Sequence, residues 1–141
     1  MKIFSLISIM LVCVVSCDIN PASSQTYEPE VPVIIENLAG TWDWIRSVDS
    51  IGQVVEESSL YNTQIIITQD FSFKQYLNGT LFLNDCFNLY KTVIQNTIDT
   101  VSVLDWKTSK YFNYIVYSLK SNTLIIGRSV SNVKNIYTRK N

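Results

Sequence analysis

An all-β fold, an antiparallel up-and-down barrel of eight or nine short strands, is what this sequence predicts. Three observations carry it. Past residue 38 no stretch shows helical periodicity long enough to define a helix, short apolar runs alternate with turn residues, and Asn78-Gly79 is a strong hairpin signal. A chain of 141 residues predicts one domain, and removing a leader and a tether leaves about 100 residues for the fold.

The first element is an export signal. Lys2 is followed by the apolar run Ile3 to Val15, 13 residues interrupted only by serines, and then by Ser16 and Cys17. That run is too short to span a bilayer, which takes about 20 apolar residues, and fits a cleavable leader over 1–16. Val14-Val15-Ser16-Cys17 resembles the lipobox of bacterial lipoproteins. The resemblance implies a diacylglyceryl thioether on Cys17, cleavage before it and N-acylation. The alternative is ordinary cleavage nearby, with Cys17 left as a thiol. Cysteine arithmetic favours lipid: Cys13 leaves with the leader, and Cys86 alone cannot form an internal disulfide. Cys86 is expected to pack as a small apolar residue.

The second element is a tether. Residues 17–38 hold all three prolines and many polar residues, so a flexible, partly extended linker of roughly 25 Å is expected before a domain over 39–141.

The strands then follow in order. They are expected at Thr41 to Val48, Asn62 to Thr68, Phe73 to Leu77, Thr80 to Leu83, Phe87 to Ile94, Ile98 to Leu104, Phe112 to Leu119, Thr123 to Arg128 and Val133 to Lys140. Asn78-Gly79 joins the third to the fourth, and Lys120-Ser121-Asn122 joins the seventh to the eighth. The one long connection, Asp49 to Leu60, is a lid-like loop or holds a helical turn. Hairpin-joined strands in this number can close into a barrel without an edge.

Gly40-Thr41-Trp42 at the head of the first strand, extended as LAGTWDWIRS, resembles the opening of lipocalin-like domains, specifically small ones on envelope lipoproteins of Gram-negative bacteria. TQDFSFKQYLNGTL, TLIIGR and Tyr137-Thr138-Arg139 fit that pattern in order, over about residues 38 to 141. The turn Asp70-Phe71-Ser72 departs from it, since such proteins place a glycine there. A calycin-type barrel is implied, with Gly40, Trp42 and Arg139 as a structural clamp and the guanidinium laid across the indole. The domain is shorter than a full lipocalin, which counts against a large cavity.

Charge is uneven. From Asp43 to Asp105 eight acids face three bases, Arg46, Lys74 and Lys91; after Asp105 there are seven bases and no acid. An acidic partner for the basic end is one reading. The preferred one is mutual neutralisation, because in a closed meander the last strands lie beside the first. A pI of about 5.3 and an export signal speak against nucleic acid.

Catalysis is not expected. The chain has no histidine, the usual base near neutral pH and the usual zinc ligand, and its one mature-domain thiol has no imidazole to activate it. No phosphate or calcium loop pattern occurs, so no cofactor or metal is expected. Glu56-Glu57 and the pair Asp99 and Asp105 read as solvated charges.

Binding is the remaining chemistry. Strict alternation puts Trp42, Trp44, Arg46 and Val48 on one face of the first strand, expected to point inward, with Phe71, Phe73 and Leu77 on the third strand and Tyr61, Ile65 and Ile67 on the second. Candidate ligand contacts are therefore Trp44, Arg46 and Phe73. An inward Arg46 would reach water at the mouth, pair with an acid, or meet an anionic head group. An eight-stranded interior is filled by side chains or holds one small ligand, and this many aromatics favours filling. Two readings follow: a membrane-anchored barrel binding a small apolar or amphipathic ligand, or a non-enzymatic accessory lipoprotein whose packed barrel contacts another envelope component. Both place the protein at a bacterial membrane through Cys17, the outer membrane before the inner. Asp49-Ser50-Ile51 and Asp99-Thr100-Val101 also resemble sites that some Gram-negative bacteria O-glycosylate, which would modify Ser50 and Thr100.

Overall fold

Apolar residues recurring at every second position beyond Gly40 can be buried together only in strands whose one face meets a core. The computed structural model describes residues 28–59, 61–94, 99–108 and 113–141. The export signal, Cys17 and the first part of the expected tether lie outside the described residues, as do Ile98 and Phe112 at expected strand starts. One helical turn, α1 (Ile35–Leu38), precedes nine strands: β1 (Gly40–Val48), β2 (Val54–Glu57), β3 (Thr63–Ile67), β4 (Ser72–Leu77), β5 (Thr80–Val93), β6 (Thr100–Trp106), β7 (Tyr114–Leu119), β8 (Thr123–Arg128) and β9 (Lys134–Arg139).

All pairings between these strands are antiparallel, and β9 returns to pair with β1. One edge of β1 is shared: Gly40 to Asp43 face Ile67 to Gln64 of β3, and Arg46 to Val48 face Glu57 to Val54 of β2. Strands β2 and β3 therefore occupy one position in the ring, and the chain leaves the sheet between them. The result is a closed eight-stranded antiparallel meander barrel with one extra strand. Closure pairs every strand of the ring on both sides.

The Asp49 to Leu60 connection is neither a lid nor a helical turn. The Asp49 carboxylate accepts the backbone N–H groups of Ile51 and Gln53 at 3.0 and 2.9 Å, and this turn delivers Val54–Glu57 to β1. The expected strands Thr80 to Leu83 and Phe87 to Ile94 are one 14-residue strand. Asp85, in the gap between the two expected strands, is only 8 % exposed within it. Its carboxylate accepts the N–H of Cys86 at 2.8 Å and that of Thr108 at 3.3 Å, which supplies the partners a buried charge requires. Asn78 and Gly79 take φ of +49° and +80°, the two positive values a type I′ turn demands. Phe71, standing where the resemblance implies glycine, has φ +62°, in the left-handed region that costs a side chain about 1–2 kcal/mol. Its ring meets Phe87 edge-on with centroids 5.8 Å apart. Cys86, expected to be packed, is exposed.

The tether expected over 17–38 is docked from Glu28 onward. Val31 N–H donates to the Leu119 carbonyl at 2.9 Å, Glu30 bridges Lys120, and the Glu28 carboxylate accepts the Ser121 hydroxyl and the Asn122 N–H. Val31, Val33 and Ile35 pack on the core, and Leu38 is fully buried. These apolar residues, Val31 between Pro29 and Pro32 and the others after Pro32, help hold the segment down.

This docking closes one pole. Arg139 Nε donates to the Ser121 carbonyl at 2.8 Å, Nη1 to Ala39 at 2.9 Å and Nη2 to Asn37 at 2.6 Å. Its guanidinium lies 4.1 Å from the Trp42 ring centroid, and Trp42 Nε1 donates to the Leu38 carbonyl at 2.9 Å. Gly40, at φ +147°, is where a Cβ would come within 2.5 Å of Arg139 Nη1. Above this pole the barrel is filled: Trp42, Ile65, Ile67, Phe73, Phe87, Leu104, Leu119, Leu124 and Ile126 are all buried. Each such side chain contributes roughly 1.5–3 kcal/mol of burial. Phe73 sits at the centre, 4.8 Å from Trp106 and 5.9 Å from Tyr114 between ring centroids.

Candidate functional site

At the opposite end of β1 the register changes. Trp44 faces Tyr137 on β9 and Arg46 faces the next residue, Ile136, so Ile45 is one residue too many: a β-bulge. A bulge flips the alternation beyond it. Trp42 and Trp44 point inward, Arg46 is exposed, and Ser47 is buried. The expectation that Arg46 faces the interior is therefore corrected: it lies on the outer surface opposite Glu57 of β2, and Ser47 takes the inward position. The Ser47 hydroxyl donates to Asn135 Oδ1 at 2.7 Å, tying the bulged strand to β9.

Beyond Trp44 the interior opens into a cup of about 360 Å³. This is within the range of about 300–1,000 Å³ for small-molecule sites. Trp44, Tyr114 and Tyr137 form the buried floor. Thr63 and Gln75 supply the β3 and β4 walls. Glu56 and Tyr61 line one side, and Arg128, Val130, Ser131, Val133 and Asn135 of β8, the following loop and β9 line the other. Trp44 and Tyr61 stack nearly parallel, 13° apart with centroids at 6.1 Å, and the Tyr61 hydroxyl donates to the Glu56 carboxylate.

The electrostatics are mild. The carboxylate of Glu56, as acceptor and as charge, raises the Tyr61 phenol above its ordinary value. Burial pushes Tyr137 much further up, with Tyr114 adding to the shift and Arg128 opposing it, so Tyr137 is a neutral hydroxyl at any physiological pH. Thr63 and Tyr137 are 8 % and 2 % exposed and line the cup; the sealed side-chain polar atom without a partner among the described residues is Trp106 Nε1. Among the described residues no group of three or more His, Cys, Asp or Glu is placed to hold a metal ion.

Of the expected ligand contacts, only Trp44 reaches this cup. Phe73 is fully buried in the packing beneath it, and Arg46 is outside the barrel. Gly40, Trp42 and Arg139 meet at the other pole. Ser50 is exposed in the β1–β2 turn, and Thr100 is exposed as the first residue of β6, paired with Val93. Cys17 lies outside the described residues. Sequence reasoning missed Thr63 and Gln75, although they share the inward parity of Ile65 and Phe73. It missed Tyr114, Arg128, Asn135 and Tyr137 because only barrel closure brings β7 to β9 around to Trp44.

Comparison of the chain with protein-family models, with curated proteins and with solved structures gives no match in any of the three.

Proposed function

We propose that this chain is a lipid-anchored envelope lipoprotein whose lipocalin-like barrel holds a small amphipathic ligand in the cup at its open pole. The observation that carries the reading is the cup itself, a cavity of about 360 Å³ with an aromatic floor and a polar rim. Such a site takes a guest with an apolar surface below and hydrogen-bonding groups above. The lipobox-like Val14-Val15-Ser16-Cys17 supports anchoring, with the acyl chains on Cys17 in the outer membrane.

Native mass spectrometry of protein purified from its own host tests the ligand. A retained small molecule that leaves when the cup is blocked by Val130→Trp supports the reading; a mass equal to the bare lipidated chain counts against it. Metabolic labelling with a tagged fatty acid tests the anchor. It should mark the wild type and not Cys17→Ser, and equal labelling of both would overturn the lipoprotein assignment.

The accessory reading, in which the barrel contacts another envelope component, draws on Leu81 and Phe82, which are 48 % and 66 % exposed near the start of β5. Adjacent exposed apolar side chains suit an interaction patch. Cross-linking through residue 82 in the native envelope separates the two readings: one reproducible protein partner favours the second.

A further inference from the structure

The cup selects among amphipathic guests, and we infer that its ligand is a saccharide, a hydroxylated ring rather than an alkyl amphiphile. This rests on the reading of the cup as a ligand site. Depth argues first. An alkyl chain needs a long apolar hole, but directly beneath Trp44 the barrel is occupied by Phe73 and its neighbours, buried and packed ring against ring. Only a compact guest fits above that packing.

Wall chemistry argues second. The hydroxyls of Thr63 and Tyr137 line the cup on side chains more than nine-tenths buried; the sealed polar atom left without a partner among the described residues is Trp106 Nε1, so these two hydroxyls are reached from the cup. The Gln75 amide makes no hydrogen bond among the described residues, and it lines the same wall. Two hydroxyls and an amide that face the cup without committed protein partners suit a guest that can both give and accept hydrogen bonds at several adjacent points. Ring hydroxyls do that; a hydrocarbon with one head group does not. Covered by a guest that lacks the matching hydroxyl, these wall groups would be left unpaired, which discriminates against such a guest.

Shape argues third. Tyr61 stacks nearly parallel on the buried Trp44, and the two give the cup an aromatic wall. The axial C–H groups of a pyranose carry slight positive charge and lie against the negative face of such a ring, while the equatorial hydroxyls point outward to the walls. On this reading the aromatic wall takes one face of the sugar and the Thr63 and Gln75 side takes its edge.

The test uses the full-length protein in a detergent without a sugar head group. It is screened on an array of neutral and acidic glycans, then titrated calorimetrically with the best binder and, separately, with decanoate. One saccharide per chain is expected, with saturable binding. Thr63→Val and Gln75→Leu should each weaken it about tenfold, the size of one lost neutral hydrogen bond. Both variants should unfold at the wild-type temperature; Gln75 is only partly buried, so its variant remains informative should Thr63→Val misfold. Decanoate bound in the cup with no saccharide bound overturns the inference and leaves the cup a ligand site. Neither bound overturns both. Saccharide binding that survives both substitutions places the sugar elsewhere and also overturns the inference.

Discussion

Arg139 commits every side of its guanidinium to the closed pole. Its three acceptors are carbonyls on Asn37, Ala39 and Ser121, and its flat face covers Trp42. One side chain thus ties the entry to β1, the β7–β8 turn and the end of β9. Charge-assisted hydrogen bonds and a partly desolvated cation–π contact together set the scale, so Arg139→Ala should lower the unfolding free energy by about 2–4 kcal/mol. The urea midpoint should fall at unchanged slope. Arg139→Lys should restore little of it, because one ammonium cannot span three divergent carbonyls. A wild-type midpoint in Arg139→Ala would sink the clamp. Gly40→Ala meets the same group from the other side: its Cβ falls 2.5 Å from Nη1 at a backbone angle of +147°. A cost of about 1–3 kcal/mol is expected from that backbone region alone, and the double variant with Arg139→Ala should cost less than the sum, since the clash is gone. This set was legible from sequence because Gly-Thr-Trp is local and a closed meander must return its last strand beside its first. Its carbonyl acceptors were not legible, because they depend on how α1 and the β7–β8 turn fold over the pole.

Strand parity read correctly through Ile45 and failed at Arg46. A bulge adds a residue without any local signature, and its effect is to exchange the faces of Arg46 and Ser47. Arg46→Ala should therefore change stability by less than about 0.5 kcal/mol, as expected of an exposed site without special partners, and leave ligand binding untouched. Ser47→Arg, which forces a charge into a buried position, should cost several kcal/mol. Thermal melts of the two variants check the pair, and a harmful Arg46→Ala beside a harmless Ser47→Arg would contradict the observed register. Two other elements escaped the sequence for related reasons. Val54–Glu57 is only four residues long and half acidic, too little for an alternation, and becomes a strand because the Asp49 turn presents it to β1. Glu28 to Leu38 reads as linker by its prolines, yet Glu28 docks it to the β7–β8 turn. The Asn122 N–H, then the Ser121 hydroxyl, hold the Glu28 carboxyl below its ordinary value, against a smaller opposing effect of desolvation. A carboxyl lowered on docking contributes stability above its undocked value and loses it as pH falls through the docked one. Hydrogen exchange at the Asn122 amide should accordingly be slow at neutral pH and lose protection below the usual glutamate range. Glu28→Gln should remove most of that pH step, and an identical step in the variant would place its origin elsewhere.

Closure of the whole ring gives the molecule two unlike ends. The β1–β9 seam brings the acidic early chain beside the basic late chain, and Lys140 Nζ lies 4.0 Å from Asp43 across it. An exposed pair of this kind contributes little to stability, so the uneven charge along the sequence is largely a matter of neighbouring strands. The two ends differ more than the two halves. The pole where the described chain begins is sealed by Arg139 and the docked segment from Glu28, while the cup opens at the other pole, beyond Trp44. On the proposed lipidation of Cys17, the anchor joins the described chain at the sealed pole, at most 11 residues away. Even fully extended, 11 residues span at most roughly 36–40 Å, so on that reading the sealed pole is expected nearer the bilayer and the cup pointing away from it. A ring strand of six residues, such as β8, spans roughly 20 Å, which is the difference in depth expected between the poles before tilt. Energy transfer measures it directly. In lipidated full-length protein with Cys86→Ser to remove the exposed thiol, a dye at Ser121→Cys should transfer efficiently to an acceptor lipid in the same vesicle, and a dye at Ser131→Cys much less. Equal transfer from the two positions would mean that the barrel lies on its side or rotates freely on its tether. Stronger transfer from residue 131 would mean that the cup faces the membrane, and a guest would then have to come from the lipid rather than from the aqueous side.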